Sequence, residues 1–291
     1  MDTFREIFSR LPTSASQELV LLPPAVIGQI EEIRLRCGQL PRILYGKSEK
    51  TLTRITTRED LQKTLHNLIK FSYYAYEDDL AKGFVTIAGG HRVGICGKAV
   101  VKNDQPSLIK EISSMNIRFA REIKGCASSL IPMILQREMP VNTLIVSPPG
   151  CGKTTLLRDI ARALSVRGVK VAICDERSEI AGMYNSEPSF DLGPRTDVLD
   201  GCDKVYGMIM LIRSMSPQVI ITDEMGKQED IRAVWQCKNA GVSLITSIHG
   251  SSRKDIEDSP LGQLLEKKVF KNIIYLSGEK GPGTVKEIQN A

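Results

Sequence analysis

No apolar run in this sequence approaches the roughly 20 residues needed to span a bilayer. The best stretch, Leu19 to Ile27, is broken by Pro23 and Pro24. The N-terminus, Met1 to Arg10, carries Asp2, Arg5, Glu6 and Arg10, so it lacks the apolar core of a secretory signal and a cytosolic chain is expected. Paired cysteines are also missing. The 7 Cys are scattered, with no CxxC pair and no His at ligand spacing, which argues against a disulfide framework and a zinc site. Cys151 could be oxidisable, but a small residue filling a turn is the favoured account. Nor is there a strong charge: the net charge is +5, with 19 Lys/Arg against 14 Asp/Glu in residues 1–125 and 20 of each in residues 126–291. A basic bias that small decides neither for nucleic acid nor for an anionic membrane surface. No internal repeat or low-complexity tract is visible.

What is present suits two globular domains. The chain has 291 residues, 42% hydrophobic and 25% charged, against a prior of about 150 residues per domain. Phe4, Ile7, Phe8 and Leu11 recur at helical spacing and predict an amphipathic N-terminal helix. Glu31–Arg36 and Arg42–Tyr45 read as strands, and Thr57 as the N-cap of a helix from Arg58 to about Phe71. Tyr73, Tyr74 and Tyr76 follow; closing a small core is favoured over stacking on bases. Gly83 to Val101 predicts a hairpin with His91 in its turn as a polar turn residue. Residues 113–122 give one more strand. These elements do not alternate as βα units do, so residues 1–125 are expected to form a small α+β domain, with 126–140 a linker helix.

Residues 141–291 alternate strands with helices. Strands are expected at Thr143–Val146, Val169–Cys174, Val219–Thr222, Val242–Ser247 and Asn272–Leu276. Helices are expected near Thr154–Arg167, Lys204–Met215 and Gln228–Asn239. That pattern predicts an α/β core on a parallel-rich sheet covered on both faces. The organising stretch is Asn142 to Leu157. A short β-branched strand runs into Pro149, Gly150, Cys151 and Gly152, then into Lys153, Thr154 and Thr155 at the head of a helix. Glycine lets backbone N–H groups curl around phosphate oxygens, and the helix N-terminus adds partial positive charge. Lys153 reaches the outer phosphates of ATP and Thr154 helps hold Mg²⁺. One letter departs from GxxxxGK[ST]: Ser147 stands at the first glycine position.

Other strand ends carry acids. Val219–Thr222 runs into Asp223 and Glu224 at the edge where open α/β sheets bind ligand. Asp223 is expected to hold Mg²⁺ through its water shell, and Glu224 to polarise the attacking water. Asp175-Glu176-Arg177-Ser178-Glu179 closes another strand, so Glu176 or Glu179 could share or take that role. His249, at the tip of a further strand, can sense the γ-phosphate. Arg195, in a loop spanning Asn185 to Asp197, is a candidate for a γ-phosphate or subunit-interface role, as are Arg213, Arg92, Arg118 and Arg121.

Taken together, SPPGCGKTTLLRDIAR, DERSEI, LIRSMSPQVIITDE and SIHG resemble the stage III sporulation protein AA family. GFVTIAGGHRVGICGKAV and SSMNIRFAREI extend the likeness over nearly the whole chain. That family is similar to the ATPases of type II and type IV secretion and of type IV pili, which are hexamers with a small N-terminal domain on a RecA-like domain. The resemblance implies an Mg-ATP hydrolase in the mother cell of a spore-forming bacterium, cytoplasmic and peripheral at the membrane. Its implied partners are copies of itself and membrane-embedded components of a mother cell–forespore channel; nucleic acid is not expected. Lys153, Thr154, Asp223 and Glu224 match the Walker motifs, DERSEI the acidic box and His249 the histidine box. Secretion ATPases usually have Gly where this chain has Asp223, so the division of labour between Glu224 and Glu176/Glu179 stays open. Two other readings stay open: a nucleic-acid-dependent RecA-like ATPase, and a non-hydrolysing nucleotide-gated scaffold.

Overall fold

A computed structural model describes residues 2–102, 105–279, 281 and 283–290. The chain divides into two compact units, Met1–Ala120 with Tyr184–Ser189, and Arg121–Met183 with Phe190–Ala291. No helix among the described residues is long and apolar enough to cross a membrane.

The first unit is built on an antiparallel sheet. Its strands are β1 (Ile30–Arg36), β2 (Arg42–Tyr45), β3 (Ser48–Thr51), β4 (Phe84–Ile87), β5 (His91–Lys102) and β6 (Gln105–Arg118), in the order β3-β2-β1-β6-β5-β4. Ile30 and Ile33 both reach the core although they are three residues apart. A register shift between Ile30 and Glu32 in the β1–β2 ladder inserts the extra residue that turns both inward. Helix Arg58–Leu68 covers this core with Leu61, Leu65 and Leu68. Its start is fixed by a capping box, in which Thr57 Oγ1 accepts the Asp60 N–H and the Asp60 carboxylate accepts the Thr57 N–H. The N-terminal helix Asp2–Ser9 buries Ile7 and Phe8, and Phe4 stacks on Phe119 with 4.7 Å between ring centroids.

Two expectations change in this unit. His91 is not an exposed turn residue. It opens β5, is 2% exposed, and its Nδ1 accepts the Ala120 N–H while its ring lies among Phe4 and Phe119. Glycines 89 and 90 make the turn instead, both at positive φ. The tyrosines do not close the core as a group either: they form one 3₁₀ turn in which Tyr76 packs inward and Tyr74 is 95% exposed.

The second unit carries a seven-stranded sheet. Its strands are β7 (Thr143–Ser147), β8 (Val171–Asp175), β9 (Thr196–Asp200), β10 (Val219–Thr222), β11 (Ser243–His249), β12 (Asn272–Ser277) and β13 (Thr284–Asn290). The order is β9-β8-β10-β11-β7-β12-β13, parallel throughout except for the β12–β13 hairpin. Strands buried on both faces read as continuous apolar runs, and alternate residues feed two cores. Leu144, Val146, Ala172 and Ile220 pack with helices Lys204–Met215 and Asp230–Asn239; Ile145, Ile173 and Ile221 pack with helix Lys153–Val166. The helix expected before β7 is a single turn, Ile131–Ile134. The supposed loop around Arg195 is partly regular, since Thr196–Asp200 forms the edge strand β9.

Candidate active site

The phosphate loop, residues 148–152, joins β7 to helix Lys153–Val166. Gly150 and Gly152 have φ of +73° and +84°, which side-chain-bearing residues adopt only at a cost. Ser147 has no positive φ. It is the last residue of β7, pairs in register with His249, and its Oγ donates to the Pro148 carbonyl at 2.9 Å. The turn therefore asks nothing of that position that only glycine supplies. The Gly283 N–H, from the turn between β12 and β13, donates to the Cys151 carbonyl at 2.7 Å and fixes the far side of the loop.

Because β7, β8, β10 and β11 are parallel, their carboxyl ends bring the sequence-separated candidates to one edge. Lys153 Nζ lies 2.9 Å from His249 Nδ1, and His249 Nε2 lies 2.8 Å from Glu224 Oε1. With the ammonium donating to Nδ1, the imidazole carries its proton on Nε2 and donates it to Glu224. Arg177 Nη1 approaches the other Glu224 oxygen at 3.3 Å. Burial lowers the Lys153 pKa, and the Glu224 charge works against that lowering.

Asp223 is 5% exposed, and its Oδ1 is buried without a hydrogen-bond partner. Burial pushes its carboxyl up to about 6. An orphaned buried acceptor beside a phosphate loop fits a water of a Mg²⁺ shell, which would satisfy it and restore its charge. Thr154, at the second position of the helix, is the other residue suited to that ion.

Loop 176–181 is shaped by Asp175, whose carboxylate accepts the N–H groups of Glu179, Ile180 and Ala181 at 2.8–3.0 Å. Burial still outweighs those three donors and raises its carboxyl to about 7. Glu179 lies close enough to influence both Lys153 and Asp223 electrostatically. Glu176 is turned toward a different partner, the Lys204 ammonium, at 3.0 Å.

Arg195 is not brought to this edge. Thr196, the next residue, pairs with Val171 at the start of β8, so Arg195 lies at the amino edge of the sheet, where its Nη1 donates to the Gly168 carbonyl. Strand direction decides this, and a loop sequence does not reveal it. Among the other arginines, Arg92 stacks over Phe84 and Arg118 lies 3.9 Å from Glu32.

Three contributors escape sequence reasoning. Lys204 opens an apolar helix and bonds the Glu224 carbonyl. Ser247 accepts the Glu224 N–H. Arg158, buried on the phosphate-loop helix, donates to the carbonyls of Ile180, Glu179 and Arg121 and so ties the acidic loop to that helix. Only a charged residue interrupting an apolar helix face hinted at the first and the last.

A family profile described as sporulation stage III, protein AA, matches residues 6–291. The chain belongs to that family. The stage III sporulation protein AA of Bacillus subtilis (strain 168) is 43% identical over 290 residues, 97% of this chain and 94% of that protein. Among solved structures, the Yersinia pseudotuberculosis ATPase DotB superposes with a TM-score of 0.62 at 11% identity, over 97% of this chain and 80% of its own. The pilus retraction motor PilT with bound ADP gives 0.59 at 15%, over 86% and 75%. Likeness at such identities shows the fold, that of the P-loop secretion ATPases. The chain thus has an α/β core with a parallel-rich sheet, preceded by a small α+β unit.

Proposed function

We propose that this member of the sporulation stage III, protein AA, family hydrolyses Mg-ATP as a homo-oligomer, a hexamer by likeness to the secretion ATPases. It does so at the cytoplasmic side of a membrane, to drive or assemble a channel during endospore formation. The observation that carries the reading is the chain Lys153–His249–Glu224 at the mouth of the phosphate loop, with the unpartnered Asp223 carboxylate beside it. A mere binding site has no need of a carboxylate linked to the phosphate lysine through one imidazole.

The roles follow from position. Backbone N–H groups of Gly150, Cys151, Gly152 and Thr155 cradle phosphate oxygens while Pro149 sets the turn, and Lys153 balances charge on the outer phosphates. When bound at Thr154 and Asp223, Mg²⁺ supplies further charge neutralisation. Glu224 orients the attacking water for in-line displacement, and His249 holds that carboxylate to Lys153. Arg195 and Arg213, both exposed, are the candidates to act across a subunit boundary. Lys153→Ala is expected to abolish Mg-dependent phosphate release from ATP while the melting temperature stays within a few degrees. Wild-type turnover in that variant overturns the assignment, and strong salt-sensitive stimulation of the wild type by single-stranded DNA would favour a nucleic-acid motor instead.

A further inference from the structure

Lys204 is a buried lysine with every proton accounted for. Its side chain is 8% exposed, and Nζ lies 2.7 Å from the Glu224 carbonyl, 3.0 Å from Glu176 Oε2 and 3.5 Å from the Asp223 carbonyl. Asp203 holds the lysine in place by capping the helix that Lys204 begins, accepting the N–H groups of Val205 and Tyr206.

The peptide it grips is unusual. Glu224 has φ of +29°, a left-handed conformation that a residue with a side chain adopts only when its surroundings hold it there. Two bonds do the holding: the Glu224 N–H donates to Ser247 Oγ at 3.1 Å, and its carbonyl accepts from Lys204. This twist turns the Glu224 side chain toward His249 and the phosphate loop. The same ammonium neutralises Glu176. A carboxylate held by a buried cation has little freedom to turn to a water, because moving it away strands the buried ammonium. The Glu224 carboxylate, by contrast, is held among the described residues by His249 and Arg177, whose side chains are 43% and 54% exposed and can swing aside.

We propose that Lys204 is the positioning residue that separates the duties of these two acids: it pins the strained Glu224 peptide and occupies Glu176, so that of the two it is Glu224 that orients the attacking water. This deepens the ATP-hydrolysis reading above and rests on it. Lys204 never touches nucleotide; it acts through the geometry of Glu224.

The test is a double-mutant cycle on the full chain, with kcat, KM and nucleotide retention measured separately. Lys204→Met is expected to lower kcat by about 10-fold or more, since small misplacement of a catalytic group is that costly, with KM for ATP changed less than about 3-fold. Retention of fluorescent ADP with Mg²⁺ and aluminium fluoride, a transition-state mimic, falls in step with kcat, while binding of fluorescent ADP alone does not. Lys204→Met/Glu176→Gln removes both charges, leaves no carboxylate unpaired, and keeps the test decisive if the single variant unfolds. Were Lys204 only a counter-ion, the double variant would return to the activity of Glu176→Gln; the expected result is that it stays about 10-fold below. That return, or a wild-type kcat in Lys204→Met, overturns the proposal and leaves the ATPase reading intact. A wild-type protein with no Lys153-dependent hydrolysis overturns both.

Discussion

Ser147 lies within β7 and bonds the Pro148 carbonyl, while Gly150 and Gly152 alone carry the positive φ that bends the loop. Restoring the consensus letter therefore brings no conformational gain. Ser147→Gly is expected to cost about 0.5–1 kcal/mol through added backbone freedom, read as a lower melting temperature. A several-fold rise in turnover would contradict this. His91 is a second residue whose surroundings set its chemistry. Its Nδ1 accepts a backbone N–H, its Nε2 is buried without a partner, and burial lowers its pKa from 6.5 to about 4. The folded state keeps it neutral while the unfolded chain protonates near 6.5, so its contribution is complete above that pH and is lost as pH falls toward 4. Between pH 7 and pH 5 the loss is about 2 kcal/mol. Urea unfolding of the full chain should show a smaller acid loss in His91→Gln, and an equal loss in both would refute the assignment.

Helix Lys204–Met215 must lie close to the sheet if Lys204 is to reach the ends of β8 and β10, and Gly207 permits that approach. A Cβ there would stand 2.6 Å from Cys174 Sγ and 3.2 Å from Leu199 Cδ2. Helix propensity alone favours alanine over glycine by about 1 kcal/mol, but overpacking a close-packed layer costs about 1–3 kcal/mol. Gly207→Ala is thus expected to destabilise the protein on balance. Adding Cys174→Ala should recover about 1 kcal/mol by removing the nearest obstructing atom, measured as a coupling in chemical denaturation. Additive losses would mean the helix simply shifts outward.

For the whole molecule, legibility followed burial and chemistry. The strands of the second unit stood out because both faces are covered, leaving runs such as Val219-Ile220-Ile221. β9 and β13 did not: TDVLD and TVKEIQN are edge strands, half polar, and their pairing is set by register with a neighbour. That Lys153 at a helix start and Asp223 and His249 at strand ends would meet was readable, because their residue types and positions point to one edge of a parallel sheet. Lys204 and Ser247 were not, since their value lies in which carbonyl or N–H they meet. The place of Arg195 was not legible, because the direction of β9 puts it at the amino edge, away from the phosphate loop of its own chain. With an arginine of a neighbouring copy completing the site, as in the proposed homo-oligomer, turnover per chain is expected to rise steeply with protein concentration and level off as copies assemble. Size-exclusion chromatography with parallel phosphate-release assays checks this; a flat specific activity across a monomeric range refutes it.

Because β7 pairs with β11 on one side and β12 on the other, the first strand of this sheet to be synthesised gains its neighbours only late. On the ribosome, residues 143–147 wait for Ser243–His249 and Asn272–Ser277 to emerge, and the Gly283 bond to Cys151 comes later still. At about 5–20 residues per second, that delay lasts on the order of ten seconds. During it the nascent chain exposes an apolar strand whose two neighbours are not yet made, and the phosphate loop lacks its tie to Gly283.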